Sequence, residues 1–256
     1  MALAVGNLAV KEVGPRASII AEPGKDYLDR YANELYNLSG LLNMTEEWLT
    51  PYIWDNYAIL VLPPSFPYGG MENPLLTFAS PTIIVGDGSQ VYVATHEIAH
   101  SWTGNEVTCK DWSNMWLNEG FTVYEERKVS KRVHGEEFAK IEAQLGNVSL
   151  WDDMNGFGLS SNFSSLYPIL TDASPDDSFS EVPYEKGFQF LTFLESIFPS
   201  EGHFQDMVRS YIKEHTQQSV TYYDFNNSLT NWVNKNMTSE AAKALLSKID
   251  WDAWVR

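Results

Sequence analysis

Two histidines four residues apart, His96 and His100, with Glu97 beside the first, form the most specific chemical pattern in the chain. Residues four apart on an α-helix lie one above the other, so both imidazoles face one direction. They can then reach a single zinc ion at about 2.0–2.1 Å. Glu97 lies one step round the helix, near the open side of such a metal, where its carboxylate can take a proton from water. A catalytic zinc usually has three protein ligands. The third is read as Glu119, in Trp116-Leu117-Asn118-Glu119-Gly120, with eighteen residues between it and His100. That gap suits a helix end, a connection and a second helix packed back against the first. Helix histidines are more often packed and hydrogen-bonded than metal-bound. The helix context, the downstream Asn-Glu-Gly and an upstream glycine loop together favour the metal here.

That loop is Pro67-Tyr68-Gly69-Gly70-Met71-Glu72-Asn73-Pro74. Paired glycines let a backbone approach a ligand closely, because no Cβ stands in the way. Their amide groups can bind an extended peptide as an added strand, and Glu72 offers a carboxylate to a substrate ammonium. An ordinary Gly-Gly hairpin with a solvated acid accounts for the same residues equally well.

The 256 residues suffice for one large domain or two lobes with a substantial core. A hydrophobic share of 44% and an aromatic share of 14% fit a compact protein. The net charge of −17 argues against nucleic acid as a partner and mildly favours cationic groups. Cys109 is the single cysteine, which excludes an intrachain disulfide and a cysteine-based zinc cluster. The opening Met1-Ala-Leu-Ala-Val-Gly-Asn lacks a basic stretch followed by a long apolar core, and no apolar run reaches membrane-spanning length. Neither a signal peptide nor a membrane span is expected. The six N-x-S/T sequons are read as coincidental and the compartment as the cytoplasm.

The elements that must position these residues follow from periodicity. Residues 8–22 read as one or two edge strands and 25–42 as a helix. A buried strand is expected at 57–62, and two more strand segments at 75–80 and 81–85. Ser89 is read as the N-cap of the histidine helix and Gly104 as its stop, with a second helix over 112–133. On that helix one of Glu125 and Glu126 is a possible partner for a zinc histidine, and at least one reads as a solvated acid. A helix over 135–154, a long loop over 155–180, and helices over 188–197, 201–214, 222–236 and 239–249 complete an all-helical second part. The boundary is drawn at 134, giving a mixed lobe over 1–134 and a mainly helical lobe over 135–256.

Gly69-Gly70-Met71-Glu72-Asn73, His96-Glu97-x-x-His100 and Glu119 together resemble the gluzincin aminopeptidases of the aminopeptidase-N superfamily. Pro63 to Pro74, His100-Ser101-Trp102-Thr103-Gly104-Asn105 and Val182-Pro183-Tyr184-Glu185-Lys186-Gly187 resemble its leukotriene A4 hydrolase and aminopeptidase B branch. The resemblance runs from about Gly14 to Trp254 and implies an α+β, thermolysin-like catalytic domain with a sheet-containing lobe and a helical lobe. It implies one Zn2+ per chain on His96, His100 and Glu119, with Glu97 as general base. It further implies Glu72 as the anchor for a free amino terminus, and Gly69, Gly70 and Met71 as substrate contacts. Tyr184 becomes an oxyanion stabiliser, and Asp176 matches an aspartate that directs water in the lipid hydrolases. Phe179 stands where those hydrolases have a tyrosine, and the family's amino-terminal β domain and carboxy-terminal helical domain have no counterpart here. The expected activity is removal of amino-terminal residues from short peptides. The alternatives are hydrolysis of the lipid epoxide leukotriene A4 and a catalytically weak binding module.

Overall fold

The computed structural model describes residues 2–24 and 26–256, so the first residue of the helix expected over 25–42 lies outside the described residues. The chain divides into two compact units, residues 1–105 and 106–256. The division comes earlier than the expected boundary at 134. The long helix carrying Glu119 packs on its own unit's helices, which places it wholly in the second unit.

The first unit is built on a five-stranded mixed sheet of order β1-β2-β3-β5-β4: β1 is Ala9–Gly14, β2 Ala17–Ala21, β3 Tyr57–Val61, β4 Gly70–Met71 and β5 Leu76–Ala79. β1–β2 and β4–β5 run antiparallel, while β2–β3 and β3–β5 run parallel. β2 is therefore interior rather than an edge: its Ala17, Ile19 and Ala21 are buried. The continuous apolar run of β3 is what a strand covered on both faces requires. The expected single helix is two, α1 (Tyr27–Glu34) and α2 (Leu38–Trp48). The break lets Leu35 and Leu38, both fully buried, enter the core from either side of the bend. The segment expected as a strand over 81–85 is instead a short 3-10 turn, Pro81–Ile83. Pro81 has no N–H to give a ladder, and Ser80 Oγ caps the turn by accepting from Thr82 N. Helix α3 (Val91–Ala99) closes the unit.

In the second unit β6 (Val107–Cys109) pairs in parallel with β7 (Gln218–Val220), so the second part of the chain is not wholly helical. Three residues are too few to leave an alternating pattern. Trp112–Asn114 is a 3-10 turn, and α4 starts later, at Trp116–His134. The Asn114 side chain bonds Asp111 and accepts from Tyr222 N, which fixes that turn. Then come α5 (Glu136–Phe157), α6 (Gly187–Ile197), α7 (Glu201–Glu214), α8 (Tyr222–Asn236), α9 (Ser239–Leu246) and α10 (Trp251–Val255). The long loop before α6 contains 3-10 turns at Asn162–Ser164 and Pro175–Ser178 and a π-helical turn at Val182–Lys186. Around α4 lies an aromatic cluster in which Phe121, Phe190, Phe225 and Tyr211 surround Trp116 or one another at ring separations of 5.1–6.3 Å. All are essentially inaccessible to solvent.

Phe225→Ala is expected to cost about 3–5 kcal/mol through lost burial and the cavity left behind. Tyr211→Phe should cost under about 1 kcal/mol or stabilise, because the buried Tyr211 hydroxyl meets no hydrogen-bond partner among the described residues. Denaturant melts of both variants check the contrast, and equal losses would refute it.

Candidate metal centre and active site

The histidine helix presents both rings as the spacing requires. His100 stands just past the last residue of α3 but keeps helical backbone angles, and its N–H bonds His96 O at 3.1 Å. Gln90, not Ser89, is the N-cap. The two Nε2 atoms face each other at 3.1 Å, with the ring planes crossed at 84°. His100 Nδ1 lies 2.9 Å from Thr103 O. A carbonyl only accepts, so Nδ1 carries the proton and Nε2 presents a lone pair. Two ligands about 2.05 Å from one tetrahedral ion stand about 3.3 Å apart. The observed separation fits a shared metal. Downstream, the backbone is pinned by two indoles, Trp54 Nε1 donating to Ser101 O at 2.8 Å and Trp102 Nε1 to Thr50 O at 3.0 Å.

Glu97 is buried, and its carboxylate fills the space that a side chain on Gly70 would need. A Cβ built there falls 2.2 Å from Glu97 Oε1, so only glycine leaves the acid in place. Glu72 lies just beyond β4, where its carbonyl accepts from Asn105 Nδ2 at 2.8 Å. Ligand atoms of Glu72, Glu97 and His100 all lie within 4.8 Å of one another. Nearby, the fully buried Tyr57 hydroxyl shares a 2.8 Å hydrogen bond with Thr77. Burial holds its pKa well above the usual tyrosine value, and the charges of Glu97 and Glu72 push the same way. The phenol stays protonated beside the acids. Gly69, Gly70 and Met71 form and flank β4, an edge strand whose Gly70 and Met71 pair with Ala79 and Phe78.

In the second unit Glu119 is buried on the first turn of α4, where the helix N-terminus favours a carboxylate. Glu125 and Glu126 are buried as well, which overturns the reading of either as a solvated acid. Tyr184 sits half-buried on the π-helical turn, with its ring set edge-on to Phe179 at 6.5 Å. Asp176 is exposed on the Pro175–Ser178 turn. Sequence reading missed the buried Arg127–Glu185 pair next to Tyr184. Its available signal was a pair of charges, Glu185-Lys186, opening an apolar helix.

The family model described as Peptidase family M1 domain matches residues 34–250. The chain belongs to peptidase family M1. Relatives of the M1 chain include leukotriene A-4 hydrolase of Xenopus laevis, 42% identical over all of this chain and 41% of that protein. Leucine aminopeptidase 2 of Aspergillus clavatus is 42% identical over 99% of this chain and 40% of that protein. The solved structure of yeast leukotriene A4 hydrolase in complex with bestatin superposes with a TM-score of 0.91 at 37% identity, covering 98% of this chain and 39% of that one. The M1 chain thus spans about two fifths of the length of these relatives. The fold class is α+β, and M1 membership together with the facing imidazoles implies zinc as the cofactor.

Gly70→Ala is expected to displace the Glu97 carboxylate and lower peptidase turnover by on the order of 10²-fold, with zinc content unchanged. Turnover at the parental rate would mean that this contact does not set the position of Glu97.

Proposed function

We propose that the chain is the catalytic part of a zinc aminopeptidase that removes residues from the free amino terminus of short peptides. One observation carries the reading: the Glu72 carboxylate lies within 4.8 Å of both the Glu97 carboxylate and a His100 ring nitrogen. In a peptide the amino nitrogen and the first carbonyl carbon are about 2.5 Å apart. An ammonium held by Glu72 therefore leaves the first peptide bond, rather than a later one, within reach of Glu97. Pairing of an ammonium with that carboxylate makes the anchor selective for a free amino terminus.

His96, His100 and Glu119 match the family's ligand positions and would hold the ion. When bound, zinc would supply a Lewis acid that lowers the pKa of water toward about 7 and polarises a carbonyl. Glu97 takes the proton of the attacking water and returns it to the leaving amine. The outer edge of β4, with Gly69, Gly70 and Met71, can bind the substrate backbone as an added strand. The Tyr184 hydroxyl donates to the oxyanion that develops on the carbonyl oxygen. A net charge of −17 favours a cationic amino terminus and disfavours nucleic acid. No helix among the described residues is long and apolar enough to cross a membrane, and a cytoplasmic location belongs to the same reading.

A second reading, hydrolysis of a lipid epoxide with Asp176 directing water, is favoured by the 42% identity to a protein named leukotriene A-4 hydrolase. Against it, Phe179 offers Tyr184 a ring edge but no hydroxyl. A third, a binding module without catalysis, predicts zinc uptake with no turnover.

Glu97→Gln should abolish hydrolysis of amino-acid arylamides by about 10²–10⁴-fold while zinc stays bound. Metal analysis decides the role, since loss of zinc would make Glu97 a ligand. Glu72→Gln should raise KM or lower kcat for free-amine substrates. N-acetylated peptides should be poor substrates for the parent; efficient cleavage of them would sink the exopeptidase assignment.

A further inference from the structure

We infer that Arg127 and Glu185 are positioning residues that hold the Tyr184 hydroxyl in place through a clamped π-helical turn. This rests on the reading of Tyr184 as the oxyanion donor. Tyr184 is the third residue of Val182–Lys186, a single turn with one residue more than an α-turn would use. Such a turn is less favourable than continuous α-helix, so surrounding contacts must hold it.

Those contacts act on the residues flanking Tyr184. Glu185, the next residue, points into the unit and takes both arms of the Arg127 guanidinium, at 2.9 and 2.5 Å. Both side chains are almost wholly buried. The same guanidinium lies 4.1 Å from the centre of the Phe188 ring and bonds Glu142 O at 3.4 Å. A planar fork on a carboxylate fixes direction as well as distance. Helix α5 supplies the floor: a Cβ on Gly146 would stand 2.2 Å from the Glu185 carboxylate. Lys186 Nζ donates to Ser164 O at 2.9 Å, tying the turn to the preceding loop. At its end, Gly187 meets Gly120 of α4 so closely that a Cβ on either would lie 2.7 Å from the other's Cα.

Val182, Glu185 and Gly187 are thus buried, and Tyr184 remains half-buried. An ion pair this buried is a costly way to gain stability, since well-packed apolar residues often serve as well. What the pair adds is a fixed direction for the turn. A displacement of about 1 Å at a reacting group can cost on the order of 10²-fold in rate, which is the effect expected when the pair is loosened.

The test is a double-mutant cycle on the zinc-loaded enzyme with an amino-acid arylamide, using Glu185→Gln, Arg127→Lys and Tyr184→Phe. Glu185→Gln and Arg127→Lys should each lower kcat by on the order of 10–10²-fold, with KM within about twofold. Neither should lower it further in the Tyr184→Phe background. Fully additive losses, or an unchanged kcat in both single variants, overturn the proposal. Incorporating fluorotyrosine at position 184 gives a readout independent of turnover. One sharp 19F line is expected in the parent, and a shifted or broadened one in Glu185→Gln and Arg127→Lys at temperatures where both are folded. An unmoved line overturns the positioning role. If Tyr184→Phe alone leaves kcat intact, the oxyanion reading has failed instead, and the fluorine line still decides whether the pair holds the ring.

Discussion

The first unit depends on one close approach, that of His96 Nε2 to His100 Nε2 at 3.1 Å. Two nitrogen lone pairs at that distance repel unless a proton or a cation lies between them. The Thr103 carbonyl commits His100 to carry its proton on the far nitrogen, 2.9 Å away, and so exposes the near lone pair. The pinned backbone after the helix exists to keep this arrangement. The two indole hydrogen bonds add to the backbone bonds that run from Ser101, Trp102 and Thr103 back to α3, and together they hold the Thr103 carbonyl against the His100 ring. The imidazole pair is therefore oriented by hydrogen bonds to the His100 ring itself and to the residues just after it.

Around that contact the chain buries charge, which is expensive unless a partner compensates. Each unit answers in its own way. In the first, Glu97 and His100 are buried within 4.8 Å of Glu72, an arrangement suited to a divalent cation and an ammonium. In the second, Glu185 has a guanidinium. The apolar mass that offsets these costs is concentrated in the aromatic cluster round α4 and in the covered strands β2 and β3.

Local signals made much of this legible. The four-residue histidine spacing, the apolar run of β3, and α7 and α8 at their exact limits all follow from patterns within one element. What escaped the sequence was set by distant partners. The β6–β7 pair joins segments over a hundred residues apart, with three residues each and no periodicity to read. The strand expected after Ser80 failed because a serine cap and a proline outweigh β-branched side chains in so short a segment. At least one of Glu125 and Glu126 read as solvated because charge alone predicts exposure, whereas α4 is surrounded by its own unit and both are buried.

Glycine shows the same division between local and distant causes. In sequence, Gly69-Gly70 reads as a hairpin turn or a close backbone approach to a ligand. In the structure, Gly70 is empty space kept for the Glu97 carboxylate. Gly104 likewise stands against the His100 ring, where a Cβ would fall 2.9 Å from Nδ1, and Gly146 against the Glu185 carboxylate. Each of these glycines faces a polar side chain whose direction matters to the site. A methyl group at any of them would not remove a functional atom; it would push one aside. The chain therefore specifies its chemistry in two registers, one by the groups it supplies and one by the volume it leaves for them. Only the first can be read without knowing which residues meet.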